Sequence, residues 1–213
     1  MLQRNPIVRV TAFVDWNSQV HAAESPKDSD QILLNSRTLR YVGKTIGKVL
    51  NSIDPTKKYI VSLRLYHGWR KGFEVTIRRK VMTTIIASTD FNLISEKTNI
   101  IIRDNVEFGD QLISASPTRL HQRIGCHLPN TLRNDSARGA EVEKMVDTAI
   151  ASDLVDLAHG DRDCWLVVMA EDDDLVPPVF VAEGVRGPSD GRILLVRNRP
   201  ETPFLKLDKL KVS

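Results

Sequence analysis

The order of apolar and polar segments predicts an α/β protein built on a central, mostly parallel sheet. Four short apolar runs carry that prediction: Ile7 to Val14, Tyr59 to Tyr66, Cys164 to Ala170 and Ile193 to Val196. Each is rich in β-branched residues and is followed by polar or turn-forming ones. Their apolarity is continuous rather than alternating, as in strands buried on both faces. The segments between them have helical spacing, and strands alternating with helices imply right-handed crossovers and a sheet covered on both sides.

Ser36 to Leu50 reads as the first such helix, with a capping residue ahead of it and Leu39, Val42, Ile46 and Val49 on one face. Glu141 to Ala158 repeats the pattern with Val142, Val146, Ala149, Ile150 and Leu157. Leu175 to Glu183 is a shorter helix whose Pro177 and Pro178 are tolerated only in its first turn. Asn99 to Asp104 reads as a further strand. A loop-rich insertion is expected over about 92–140, and a basic, loosely attached tail over about 198–213. One domain over residues 1–213 is the simplest division.

Composition narrows the function classes without choosing one. Thirty basic against 27 acidic residues leave a formal charge of only +3, so a polyanionic partner has to be argued from local charge. Cys126 and Cys164 form no paired motif with each other or with the five histidines, and a zinc site is poorly supported. No run approaches the roughly 20 apolar residues of a membrane span. The first residues lack the pattern of a secretory signal, so a cytoplasmic protein is expected.

Two apolar runs end in acid, the first in Asp15 and the third in Glu171-Asp172-Asp173-Asp174. In an open α/β sheet, ligands gather outside the carboxyl ends of the strands. Carboxylates crowded there repel, and a hard divalent cation relieves that repulsion. An aspartate after a strand is also a common helix cap, a role that suits Asp174 ahead of Leu175. On a helical wheel Asp153 falls inside the apolar stripe and Asp147 at its border. A buried Asp153 needs a partner, whether backbone, arginine or cation. An exposed Asp147 near a helix start is favoured by the dipole alone.

Read in order, Phe13-Val14-Asp15-Trp16-Asn17, Lys144-Met145-Val146-Asp147, Asp153, Asp172-Asp173-Asp174-Leu175-Val176-Pro177 and Gly184 resemble the NYN branch of the PIN-like metal-dependent ribonucleases. The likeness runs over roughly residues 7 to 197, the middle in outline only. It implies a three-layer α/β/α PIN-like fold and an Mg2+- or Mn2+-dependent endoribonuclease that hydrolyses RNA phosphodiesters with metal-activated water. It places Asp15, Asp147, Asp172 and Asp174 around the metal, Asp153 in support, and Asn17 on a ligand or water. Trp16 and Glu171 stand where the family usually has glycine.

A basic segment with interleaved aromatics supplies a candidate substrate path in Trp69, Arg70, Lys71, Arg78 and Arg79. Cations neutralise phosphates, and aromatic faces stack on unpaired bases. The competing reading is a solvated face with its aromatics in the core. RNA rather than DNA is the expected partner, and a second copy or a protein partner is left open. Gly43-Lys44-Thr45 is no phosphate loop, because the upstream glycine is missing and the triplet lies within a helical pattern. His121 and His127 receive no role. The alternative to an active nuclease is a PIN-like RNA-binding or protein-interaction module without turnover. A haloacid-dehalogenase-like phosphatase is disfavoured because Asn17 stands where its second aspartate belongs.

Overall fold

The computed structural model of the chain describes residues 7–23, 30–72, 74–110, 131–135, 139–187, 189–198 and 204–206. Its central sheet contains β1 (Ile7–Asp15), β2 (Lys58–Tyr66), β5 (Ile100–Ile102), β9 (Trp165–Met169), β10 (Ile193–Val196) and β11 (Phe204–Lys206). They lie in the order β11-β10-β9-β1-β2-β5, and the short β6 (Glu107–Phe108) also pairs with β2. Every pairing is parallel except that of β10 with β11. Two small antiparallel hairpins stand apart, β3 (Arg70–Lys71) with β4 (Glu74–Val75) and β7 (Leu132–Asp135) with β8 (Ala140–Glu143).

Five helices are described: α1 (Trp16–Ala23), α2 (Gln31–Ile53), α3 (Ile77–Ser88), α4 (Val146–Gly160) and α5 (Val176–Gly184). Alternation along the strands divides the core in two. Val10, Ala12 and Val14 of β1 join Val167 of β9 and Leu194 of β10 beneath Leu39, Val42 and Ile46 of α2 and Met82 of α3. Phe13, Leu166, Val168 and Leu195 meet Ile150 and Leu154 of α4 and Val179 of α5 on the other side. Helices on both faces are compatible with a three-layer α/β/α arrangement. They also explain why β9 and β10 are buried throughout and carry no polar alternation. Strand β2 departs from that expectation: its odd residues are buried and Ile60, Ser62 and Arg64 only partly so.

Element boundaries shift where a polar residue outranks periodicity. Helix α2 starts five residues before the expected Ser36, because the Asp30 carboxylate caps it through the N–H groups of Ile32 and Leu33. The expected helix start at Glu141 belongs instead to β8, and α4 opens only at Val146. Gly43 and Gly47, one turn apart on α2, let the turn at Ile94 and Ser95 pack against the helix backbone, since a Cβ at either position would run into it. Within the expected insertion lie β5, β6 and the β7–β8 hairpin. His121, Cys126 and His127 lie outside the described residues, as does most of the tail. Residues 204–206 do add a strand to the sheet edge.

Strand order fixes where a site can form. From β1 the chain crosses to β2 on one side, whereas β9 and β10 extend the sheet on the other. The reversal lies between β1 and β9, and the crevice outside their carboxyl ends is the topological switch point.

Candidate active site

Asp15 closes β1, and Asp172 lies in the loop that follows β9. Both line a cleft of ≈ 360 Å³ with Asn17, Glu143, Lys144, Met145, Val146 and Asp147. Three separate elements thus meet: the β1–α1 junction, the β9–α5 loop, and the turn from β8 into α4. The turn depends on Met145, which sits in the left-handed region at φ 64° and ψ 8°. That conformation costs a side-chain-bearing residue roughly 1–2 kcal/mol. It swings the chain from hairpin to helix so that Asp147 enters the first turn of α4 beside the cleft.

Proton affinities in the cleft bear the mark of crowded negative charge. Burial holds the Asp15 carboxyl above its ordinary value, and the charges of Asp147 and Glu143 add to the effect against hydrogen bonds from Ser18. Asp147 is raised in the same way, first by loss of water and then by Asp172, Asp174 and Glu143. Glu143 goes the other way: burial opposes its charge, but His67, the Gly68 N–H and Arg78 outweigh it. The Gly68 N–H donates to Glu143 Oε1 at 2.7 Å, and His67 Nδ1 lies against the same oxygen.

Among the described residues, Asp15, Asp147 and Asp172 have no ion pair. Other acids are matched, for example Asp161 with Arg9, Asp173 with Arg197 and Glu141 with Lys71. Also among the described residues, no group of three His, Cys, Asp or Glu side chains forms a ready-made metal cage. The carboxylates face a common space without closing on one point.

The remaining predicted acids separate. Asp172, not Asp174, acts as the cap, accepting the Asp174 N–H at 2.8 Å at the start of a 3-10 turn. Asp174 is exposed and contributes its charge to the cleft without lining it. Asp153 lies outside the cleft. It is 1% exposed, and its Oδ2 accepts Arg64 Nη1 at 2.6 Å and the Tyr66 hydroxyl at 2.7 Å. It is a buried anchor between α4 and β2, so its place in the catalytic set is corrected. Asn17 is exposed and lines the cleft.

Trp16 and Glu171 do not line the cleft. Trp16 is buried in the α2 side of the core, with its indole N–H donated to Asn35 Oδ1 at 2.8 Å. Glu171 needs no left-handed backbone, since it is absent from the positive-φ residues. Its carboxylate accepts the Asn198 N–H at 2.6 Å, while Arg197 holds Asp173 at 2.6 Å. The added negative charge of the acidic loop is largely tied to the end of β10.

Most of the predicted substrate path is structural. Trp69 is fully buried and donates its indole N–H to Leu65 O at 2.6 Å, so it offers no face for a base. Arg70 and Arg79 both engage the buried Asp110, and Arg79 also lies over the Phe108 ring at 4.6 Å. Neither is a free phosphate contact. Lys71 is exposed and pairs with Glu141. Arg78, with 56% of its side chain exposed, lies 3.3 Å from His67 Nε2 and 3.7 Å from Glu143. Sequence reasoning passed over Glu143 and Lys144 as site residues. Lys144 lies within Lys144-Met145-Val146-Asp147, whereas Glu143 carries no periodic or motif signal in the sequence. Comparisons with family models, curated proteins and solved structures give no match for this chain.

Proposed function

We propose that this protein is a metal-dependent nuclease, an endoribonuclease hydrolysing RNA phosphodiesters in the cleft between β1 and β9. One observation carries the reading: Asp15, Asp147 and Asp172, from three elements, line one cleft at the switch point with no cationic partner among the described residues. The PIN-like character of the fold and the preference for RNA rest on the motif order in the sequence.

The donor set suits Mg2+ or Mn2+. It is all oxygen, and burial together with its like charges raises two of its own proton affinities. Magnesium retains several waters and is usually held through one or two carboxylates with substrate phosphates, so a closed protein cage is not required. When bound, the ion supplies a more acidic water and offsets charge on the phosphoryl and leaving oxygens. Asp147 and Asp172 would hold it. Asp15, with its raised proton affinity, is suited to take the proton of an attacking water. The Asn17 amide orients that water or a phosphoryl oxygen, and the Asp174 N–H fixes the Asp172 carboxylate.

The test incubates purified protein with labelled single-stranded RNA, duplex RNA and DNA, with Mg2+, Mn2+ or chelator. Wild type should cleave RNA only with metal, and Asp172→Asn should not cleave it. Among the described residues no three acids form a closed cage, an arrangement that also accommodates a second reading, an RNA-binding or protein-interaction module without turnover. Wild-type protein that binds RNA but never cuts it would establish that alternative.

A further inference from the structure

Lys144 is the one cationic residue among those lining the cleft. Its side chain is exposed, yet among the described residues it pairs with none of the carboxylates that share the cleft. Its position is nevertheless built. The Lys144 N–H donates to Thr131 O at 3.1 Å. The preceding Glu143 is tied to Gly68 and His67, and the following Met145 is locked in the left-handed turn.

A second cation, Arg78, reaches Glu143, the residue that precedes Lys144 in the chain, at 3.7 Å. Arg78 Nη1 lies 3.3 Å from His67 Nε2, and His67 Nδ1 lies against Glu143 Oε1. The chain Arg78–His67–Glu143 therefore ends at the residue next to Lys144. A phosphodiester entering this cleft meets Asp15, Glu143, Asp147 and Asp172, and its negative charge needs a counter-charge there in addition to any ion.

We infer that Lys144, seconded by Arg78, grips a backbone phosphate of single-stranded RNA at the mouth of the cleft. The inference rests on the cleft's being the nucleic-acid site proposed above. Lys144 acts as a point charge on the phosphate and has no part in the acid cluster's own chemistry. It takes the place that Trp69, Arg70 and Arg79 were expected to fill.

Binding of a labelled single-stranded RNA is measured in chelator, where no cutting interferes, across a salt series for wild type, Lys144→Gln, Lys144→Arg, Arg78→Gln and the distant control Lys48→Gln. Loss of one phosphate contact should lower the slope of log affinity against log salt by about 0.7. Lys144→Gln should show that drop with several-fold weaker binding, and Lys144→Arg should restore both. Arg78→Gln should resemble Lys144→Gln, and Lys48→Gln should match wild type. If Lys144→Gln keeps the wild-type slope and affinity, or wild type binds no RNA, the inference is overturned. Wild type that binds with the predicted slopes but cuts nothing with Mg2+ or Mn2+ removes the nuclease reading and leaves this one standing.

Discussion

Replacing Asp153 with alanine should destabilise the fold far more than replacing Asp147 in the cleft. Its Oδ2 is the acceptor for both Arg64 Nη1 and the Tyr66 hydroxyl inside the core. The phenol lies fully buried, and its proton affinity is raised well above the ordinary value by burial and by Asp153 itself, so it remains a donor. Stranding that donor costs about 1–3 kcal/mol. Removing one member of a buried charge pair costs about 3–5 kcal/mol. Arg64 keeps Glu107 through Nε at 2.9 Å and Nη2 at 2.6 Å, so the two costs do not add in full. A total of about 3–4 kcal/mol is expected, which for a chain of this length lowers Tm by about 10 °C. Asp153→Asn keeps a neutral acceptor and should lose roughly half as much. Melting followed by circular dichroism in chelator measures this, with Asp147→Ala as the comparison. Asp147 is exposed and has no cationic partner among the described residues, so its loss should leave Tm unchanged or slightly raised. An Asp153→Ala protein melting with wild type, alongside a strongly destabilised Asp147→Ala, would refute the assignment of one aspartate to the core and the other to the cleft.

Without divalent ions, the cleft should make stability fall as pH rises. Asp15 and Asp147 bind protons more tightly folded than their ordinary value of 3.8, so their contribution is complete below that value and lost as pH rises through the folded pKa. Urea midpoints of Asp147→Asn should therefore rise relative to wild type as pH climbs above the ordinary carboxylate value of 3.8, and coincident curves would refute the repulsion. Arg79→Gln should cost about 1–3 kcal/mol by leaving the buried Asp110 with one fewer donor, yet keep the RNA-binding salt slope of wild type. A reduced slope would return Arg79 to the substrate path. Gly47→Ala should cost about 1–3 kcal/mol because its Cβ meets the Ser95 carbonyl, and a more stable variant in urea would show that the turn yields freely.

The sheet was legible because burial on both faces demands continuous apolar runs, and the β1, β9 and β10 runs matched to within a residue or two. Asp15 and Asp172 were legible for a related reason: acid directly after such a run emerges at one sheet edge whatever the connections do. Asp147 and Asp153 share a helix and both looked eligible from the wheel. Only packing assigned Asp153 to Arg64 and Tyr66 and left Asp147 beside the cleft. The basic segment misled because local composition reports charge and aromaticity but not partners. Asp110, more than thirty residues away in sequence, captures Arg70 and Arg79, and the core takes Trp69. Glu143 and Lys144 reach the cleft through a hairpin and a left-handed turn, contacts between distant segments that sequence periodicity does not encode. Local sequence determines which residues are buried and where strands end, because those follow from short-range pattern. Which charges find partners depends on long-range proximity, and only the folded chain decides it.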